Sequence, residues 1–325
     1  MKISNECIEC GLCTKNCDFL KKYGLNLKDF EEREDLAYNC FMCGKCKIVC
    51  PKDIDGREIA LKLRKKDVSE NGGKLPHKGY TGLLLEKKDY IFRNYKNVSE
   101  NKGGKTVLFT GCNFLSYMPD TANKLLEIFK KKNIEPVFDC CGKPIYELGL
   151  TSESEKIIEN LNRRLKENNI EELVLVCPNC YYFLEGRLDV KMTDIFSKMK
   201  ELDIGNSIDR DVLMFRPCPD RESQRLLDSI KLFINGDIEL LNEQCCGAGG
   251  CASVREKDIS KGFRTDIKEQ TAGRKLSTYC STCTGFFRSE GIDTVNVLSE
   301  ILGVDESGSG NSLINRMKYR FYKNR

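Results

Sequence analysis

Ten cysteines stand in two copies of one spacing. The first copy is Cys112, Cys140-Cys141-Gly142 and Cys177-x2-Cys180; the second is Cys218, Cys245-Cys246-Gly247 and Cys280-x2-Cys283. The intervals are 27, 35 and 2 residues in the first copy and 26, 33 and 2 in the second. Repetition this regular predicts a duplicated domain. Five thiols are one more than a tetrahedral zinc or a cubane [4Fe-4S] cluster takes. Each set therefore predicts a metal cluster of another build, with chemistry beyond storing an electron.

Eight further cysteines form a different pattern. Cys7-x2-Cys10-x2-Cys13-x3-Cys17 is followed by Cys40-x2-Cys43-x2-Cys46-x3-Cys50-Pro51. This is the spacing of two-cluster bacterial ferredoxins, in which the fourth cysteine of each run ligates the other cluster. It assigns Cys7, Cys10, Cys13 and Cys50 to one [4Fe-4S] cluster, and Cys40, Cys43, Cys46 and Cys17 to the second. Asp18 stands where a proline usually follows the first run. The competing reading of this block is a pair of zinc sites. Of the nineteen cysteines only Cys251 is left over. It reads as a packed thiol, an alternative ligand or a thiol close to substrate.

Many cysteines in a short secreted chain imply a disulfide framework. This chain is long, and Met1-Lys2 leads almost directly into Cys7, so no secretory leader is expected. A reducing cytoplasm is the expected compartment, in an anaerobe given how oxygen damages exposed thiolates. No apolar run approaches the roughly 20 residues of a membrane span. The formal charge of +4 treats every cysteine as neutral. It carries little information once thiolates bind metal, and no broad basic domain suggests nucleic acid. With His77 as the single histidine, histidine-dependent catalysis is not expected. His77 reads as a solvated loop residue or, alternatively, a proton donor.

These cysteines need elements to position them. Val107-Leu-Phe-Thr, Pro136-Val-Phe-Asp and Leu173-Val-Leu-Val read as strands ending at Cys112, Cys140 and Cys177. Between them come helices, one opened by Pro119-Asp120 and one by a Ser152/Glu155 capping box. The second copy repeats the scheme, with Val212-Leu-Met-Phe, Ile238-Glu-Leu-Leu and a strand ending at Cys280. Alternating strands and helices imply parallel sheets, whose carboxyl edge gathers ligands. Glycine after each Cys-Cys pair lets the backbone bend so that both thiols face one point. The Cys17–Cys40 interval has no strand alternation and reads as helical. Asp55 and Glu58 form a capping box before a further helix.

The Cys…Cys-Cys-Gly…Cys-x-x-Cys pattern, read twice behind a ferredoxin run, resembles the catalytic iron–sulfur subunit of heterodisulfide reductases. The likeness is to the fused, D-type subunit, and it covers Cys7 to about residue 300. It implies an α/β fold: a helix-rich two-[4Fe-4S] ferredoxin domain followed by two duplicated parallel-sheet α/β CCG domains. The expected boundaries are 1–67 ferredoxin-like domain, 68–104 linker, 105–205 and 206–304 CCG domains, and 305–325 flexible basic tail. It also implies two cubane and two non-cubane [4Fe-4S] clusters. One non-cubane cluster falls to Cys112, Cys140, Cys141, Cys177 and Cys180, the other to Cys218, Cys245, Cys246, Cys280 and Cys283. In that family the two face each other and split a substrate disulfide.

The implied function is reduction of a low-molecular-weight disulfide to thiols, with electrons entering at the N-terminal clusters. The alternative is a non-catalytic electron-transfer subunit, linking a flavoprotein dehydrogenase of glycerol-3-phosphate or lactate type to quinone or a membrane cytochrome. Related layouts serve both. A zinc-holding interaction protein is a third reading. Lacking a Gly-x-Gly-x-x-Gly fingerprint, the chain is expected to take electrons from a flavoprotein or other donor subunit. Departures fall around the second set: Phe215-Arg-Pro-Cys218 lacks flanking histidines, Cys251 replaces a common glycine, and Tyr279-Cys-Ser-Thr-Cys283 lacks a proline. Lys143, Arg216 and Tyr181 neighbour ligand cysteines and read as structural residues or proton donors. The tail from Leu313 to Arg325 interleaves bases with aromatics. It reads as a solvated helix or as a contact for an acidic partner or anionic membrane.

Overall fold

The computed structural model describes residues 3–100, 105–242, 245–306 and 310–323. Two parallel four-stranded sheets dominate it. In the first, β1 (Thr106–Phe109), β2 (Glu135–Val137), β3 (Glu172–Leu175) and β4 (Lys191–Asp194) lie in the order β2-β1-β3-β4. In the second, β5 (Val212–Phe215), β6 (Ile238–Leu240), β7 (Leu276–Thr278) and β8 (Thr294–Asn296) lie in the order β6-β5-β7-β8. Every pairing is parallel. The central strands β1, β3, β5 and β7 are buried because helices cover both their faces. Pro136 sits in edge strand β2, where a missing N–H is tolerated.

Each sheet has one strand more than the sequence reading expected. Lys191-Met-Thr-Asp and Thr294-Val-Asn lack an apolar run, yet they pair with β3 and β7. A helix over Cys112–Tyr117 also went unread, because Pro119 opens the next helix so clearly. That next helix, Pro119–Lys130, buries Ala122, Leu125, Leu126 and Phe129 as its spacing requires. The capping boxes fared less well. Asp55 is an N-cap, but Glu58 does not complete the box; the Arg57 guanidinium takes the carboxylate instead. The helix Thr151–Glu167 begins before Ser152 and has no side-chain cap.

The two sheet domains share one apolar cluster. Leu108, Phe114, Leu125 and Phe138 of the first pack with Val212, Met214, Leu227 and Ile230 of the second. The N-terminal unit is helical throughout the Cys17–Cys40 interval, with Asp18–Tyr23, Leu27–Phe30 and a 3-10 turn at Glu34–Asn39. Its helix Gly56–Glu70 runs past the boundary expected at residue 67. Its core continues into both sheet domains through Leu148 of the first and Ala252, Ile259 and Phe263 of the second.

Two buried charges tie this junction. Arg64 is fully buried and donates to four backbone carbonyls: Ala37 (2.9 Å), Glu147 (2.6 Å), Gly250 (2.8 Å) and Cys40 (2.9 Å). Glu256 accepts from Lys22 Nζ, Tyr23 Oη and Asn39 Nδ2.

The C-terminal segment is not the free tail expected. Helix Ser312–Arg320 docks on the first sheet domain. Tyr319 Oη donates to the Pro119 carbonyl at 3.2 Å, and Asn315 Nδ2 to the Ser116 carbonyl at 3.1 Å. Part of the expected tail, residues 307–309, lies outside the described residues. Among the described residues no helix is long and apolar enough to cross a membrane.

Candidate metal centres

Both five-cysteine sets are built at the carboxyl edges of their sheets. Cys112 starts the helix after β1, and Cys218 starts a 3-10 turn after β5. Cys177 and Cys280 are N-caps of helices Pro178–Leu184 and Ser281–Ser289, which places Cys180 and Cys283 one turn on, on the same face. Gly142 and Gly247 take left-handed φ of 82° and 85°, the bend expected after each Cys-Cys pair.

Thiol contacts then link each set. In the first they run Cys112–Cys140, Cys140–Cys141, Cys141–Cys180 and Cys180–Cys177. In the second they run Cys245–Cys246, Cys246–Cys283 and Cys283–Cys280, with Cys218 close to Cys245 and Cys280. Cys141 is pulled down to about 5 by hydrogen bonds from Cys140 and Cys180, and Cys246 to about 5 by Cys245 and Cys283. Burial pushes Cys218 up to about 11. A metal-free set thus favours few thiolates, and a polynuclear cation is the partner that such a thiol-rich pocket fits.

The sets face one another. A cavity of about 230 Å³ is lined by Cys112, Cys141, Cys177 and Cys180 from one side and Cys218, Cys246, Cys280 and Cys283 from the other. Asn179 Nδ2 reaches Cys280 Sγ at 3.9 Å, and Asn113 Nδ2 reaches Thr282 Oγ1 at 2.9 Å. Cys251 lies on the same wall in a left-handed conformation (φ 56°), and burial raises its thiol to about 12. Outside this cavity lies a cleft of about 470 Å³ bearing Arg57, Arg187, Arg225, Tyr146, Tyr182 and Phe183. Met42, Lys143, Glu147, Asn179, Cys218 and Pro219 line both spaces and form the throat between them.

In the N-terminal unit, Cys7, Cys10, Cys13 and Cys50 line one small cavity, the grouping expected from crossed fourth cysteines. Cys46 lies within electrostatic reach of Cys40, Cys43 and Cys17, the other grouping. Among the described residues no three Cys, His, Asp or Glu side chains close on a single ion-sized point; the thiols ring cavities instead. Cys43 meets the second five-cysteine set directly, its thiol hydrogen-bonded to that of Cys245. Gly249 and Gly250 permit this. A Cβ on either would stand 2.5 Å from the carbonyl oxygen of Phe41 or Cys40, respectively.

Of the other candidates, Lys143 lines the throat and is ion-paired with Glu147. Arg216 and Tyr181 lie off the cavity wall. His77 is bound to Asp67 at 2.8 Å and packed edge-on to Tyr38, away from the cavity. The sequence reading missed Leu83 and Lys87, which the expected linker contributes to the cavity wall. Burial works against the Lys87 ammonium, but Cys112, Cys140 and Glu86 outweigh it and raise its pKa. Only the apolar run Leu83-Leu-Leu hinted that this segment packs inward.

A model of the cysteine-rich CCG domain matches residues 106–185 and 212–288, and a model of the 4Fe-4S dicluster domain matches residues 3–54. The chain is 27% identical to one component of the fumarate reductase (CoM/CoB) of Methanothermobacter marburgensis, over 90% of this chain and 70% of that one. It is 24% identical to an uncharacterized iron–sulfur protein of Methanococcus maripaludis, over 85% of this chain and 66% of that one. It is also 24% identical to one component of the ferredoxin:CoB-CoM heterodisulfide reductase of Methanosarcina acetivorans, over 41% of this chain and 51% of that one. The chain thus spans about two thirds of the length of the first two relatives and half that of the third.

Proposed function

We propose that this chain, which carries a 4Fe-4S dicluster domain ahead of two cysteine-rich CCG domains and is similar to components of the CoM/CoB fumarate reductase and the CoB-CoM heterodisulfide reductase, reduces a low-molecular-weight disulfide to two thiols. The balance is R–S–S–R′ + 2e⁻ + 2H⁺ → RSH + R′SH. The observation that carries this reading is the cavity walled by thiols of both five-cysteine sets.

In this reading Cys7, Cys10, Cys13 and Cys50 hold one cubane cluster, and Cys17, Cys40, Cys43 and Cys46 the other. The sets Cys112/Cys140/Cys141/Cys177/Cys180 and Cys218/Cys245/Cys246/Cys280/Cys283 hold the non-cubane pair. When bound, the clusters supply one-electron steps and iron that can take sulfur. The protein does the rest. The outer cleft is of the size that admits a small ligand, and Tyr146, Tyr182 and Phe183 give it apolar walls. Lys143 and Glu147 hold a proton at the throat. Electrons are taken from a partner, a flavoprotein or other donor subunit, at the N-terminal unit, where Cys10 is exposed.

Anaerobically reconstituted protein tests the reading. About sixteen irons per chain are expected for four [4Fe-4S] clusters. A paramagnetic signal should appear only on poising with a thiol, and vanish in Cys141→Ser or Cys246→Ser. Loaded protein that ignores every thiol offered, and reduces no disulfide with an artificial donor, is an electron relay instead.

A further inference from the structure

Residues 55–105 lie between the matched domain regions, yet part of this segment closes the first five-cysteine site. Tyr90 and Phe92 form a small apolar cluster with Cys112 and Cys140. The Tyr90 ring is buried, and its hydroxyl has no hydrogen-bond partner among the described residues. Lys87 Nζ lies 5.2 Å from the centre of that ring. The Lys87 side chain is 8% exposed; its ammonium is ion-paired with Glu86 and acts on the Cys112 thiol. Glu86 is anchored in turn by Arg316 of the C-terminal helix. A buried cation that already acts on Cys112 and a buried hydroxyl with bonding capacity to spare are thus gathered beside Cys112 and Cys140, and the free hydroxyl is costly unless something accepts from it.

The duplicated site offers the comparison. Cys112 and Cys140 correspond to Cys218 and Cys245. At that second pair the ferredoxin-like unit fills the position, with Cys43 against Cys245 and within reach of Cys218. Arg221 and Lys143 also act on Cys218, but neither belongs to that site alone: the Arg221 guanidinium donates to the Cys43 carbonyl at 3.2 Å and lies near the Cys43 thiol, and the Lys143 ammonium acts on Cys141 of the first set as well. One copy is backed by another redox unit, the other by an ammonium and a phenol of its own.

We propose that Lys87 and Tyr90 are positioning residues of the first five-cysteine centre, a donor pair that holds added negative charge there and makes it the terminal electron site. The inference rests on the reading that both sets carry clusters. A fixed cation and a hydrogen-bond donor beside sulfur favour the more reduced form of a cluster and raise its potential. Electrons arriving at the second centre then run downhill to the first. Neither residue needs to change protonation state.

The test is an EPR-monitored redox titration of the reconstituted full chain, with the first centre identified by the signal lost in Cys141→Ser and kept in Cys246→Ser. Lys87→Met should lower that centre's potential enough to cut its reduced-to-oxidised ratio about tenfold at a fixed poise, about 59 mV for one electron. Tyr90→Phe, which keeps the packing, should lower it less. Lys87→Arg should restore it, and the two N-terminal centres should not move. Unchanged potentials in a loaded, thiol-responsive protein overturn the inference and leave the functional reading standing. So does a shift of all centres together in Lys87→Met, since that marks a general structural loss. A wild-type chain that binds only the irons of its N-terminal centres overturns the functional reading itself.

Discussion

The thiols of Cys43 and Cys245 are hydrogen-bonded to each other, although one lies in the ferredoxin-like unit and the other in the second five-cysteine set. The first set stands on the opposite wall of the shared cavity. The second centre is therefore expected to fill with electrons before the first. Rapid freeze-quench EPR after mixing with a reductant should show that order. Cys246→Ser should leave the first centre oxidised at times when the N-terminal centres are already reduced.

The contact depends on backbone approach at Gly249 and Gly250, where an added Cβ meets carbonyl oxygens at 2.5 Å. Gly249→Ala must push the loop off Phe41. We expect a loss of about 1–3 kcal/mol in stability together with slower reduction of the second centre. The rate change is the diagnostic, since an alanine elsewhere in this loop that only destabilises would leave it intact.

Arg64 answers four buried carbonyls from three regions of the chain. Arg64→Met should cost about 4 kcal/mol, because those acceptors stay buried and unpaired. Arg64→Lys should recover less than half, since an ammonium cannot span the same fork. Denaturant unfolding of the cluster-free chain measures both.

Glu256 is held below the ordinary carboxylate range; burial opposes this, but Lys22, Tyr23 and Asn39 outweigh it. Its stabilisation is fully present above the unfolded value near 4.5 and is lost as pH falls through the lower folded value. Glu256→Gln should cost about 2 kcal/mol at neutral pH and flatten the acid limb of a stability–pH curve. Half-exposed Lys22 contributes little of that; buried Asn39 and largely shielded Tyr23 contribute most.

Burial lifts Cys40 and Cys218 to about 11. Metal must displace protons from such thiols, so cluster loading should release protons and improve as pH rises. Reconstitution near pH 8.5 should yield more iron per chain than near pH 6.5, about in step with the protons released. Loading that is flat across this range would mean the sites bind as preformed thiolates.

Cysteine spacing made the groupings around Cys7/Cys50 and Cys17/Cys46 legible, because ligand intervals are local and chemically narrow. Apolar runs did the same for β1, β3 and β5. What escaped were elements whose residues gain their place only from distant partners. Lys191–Asp194 and Thr294–Asn296 are strands because β3 and β7 offer an edge. Lys87 is an ordinary surface residue by type, and only the fold buries it beside Cys112. The helix after Asn311 looked free because its anchors, Asn315 to Ser116 and Tyr319 to Pro119, reach across nearly two hundred residues.

The single apolar cluster shared by the two sheets makes this chain a dimer that cannot dissociate. A true homodimer must mirror every change across its twofold axis. Joined halves are released from that symmetry, so each wall of the cavity is free to specialise: Lys87 and Tyr90 behind one, Cys43 behind the other. Such a chamber has a front and a back. A molecule with two unlike ends meets different chemistry at each, and enters in one sense rather than two.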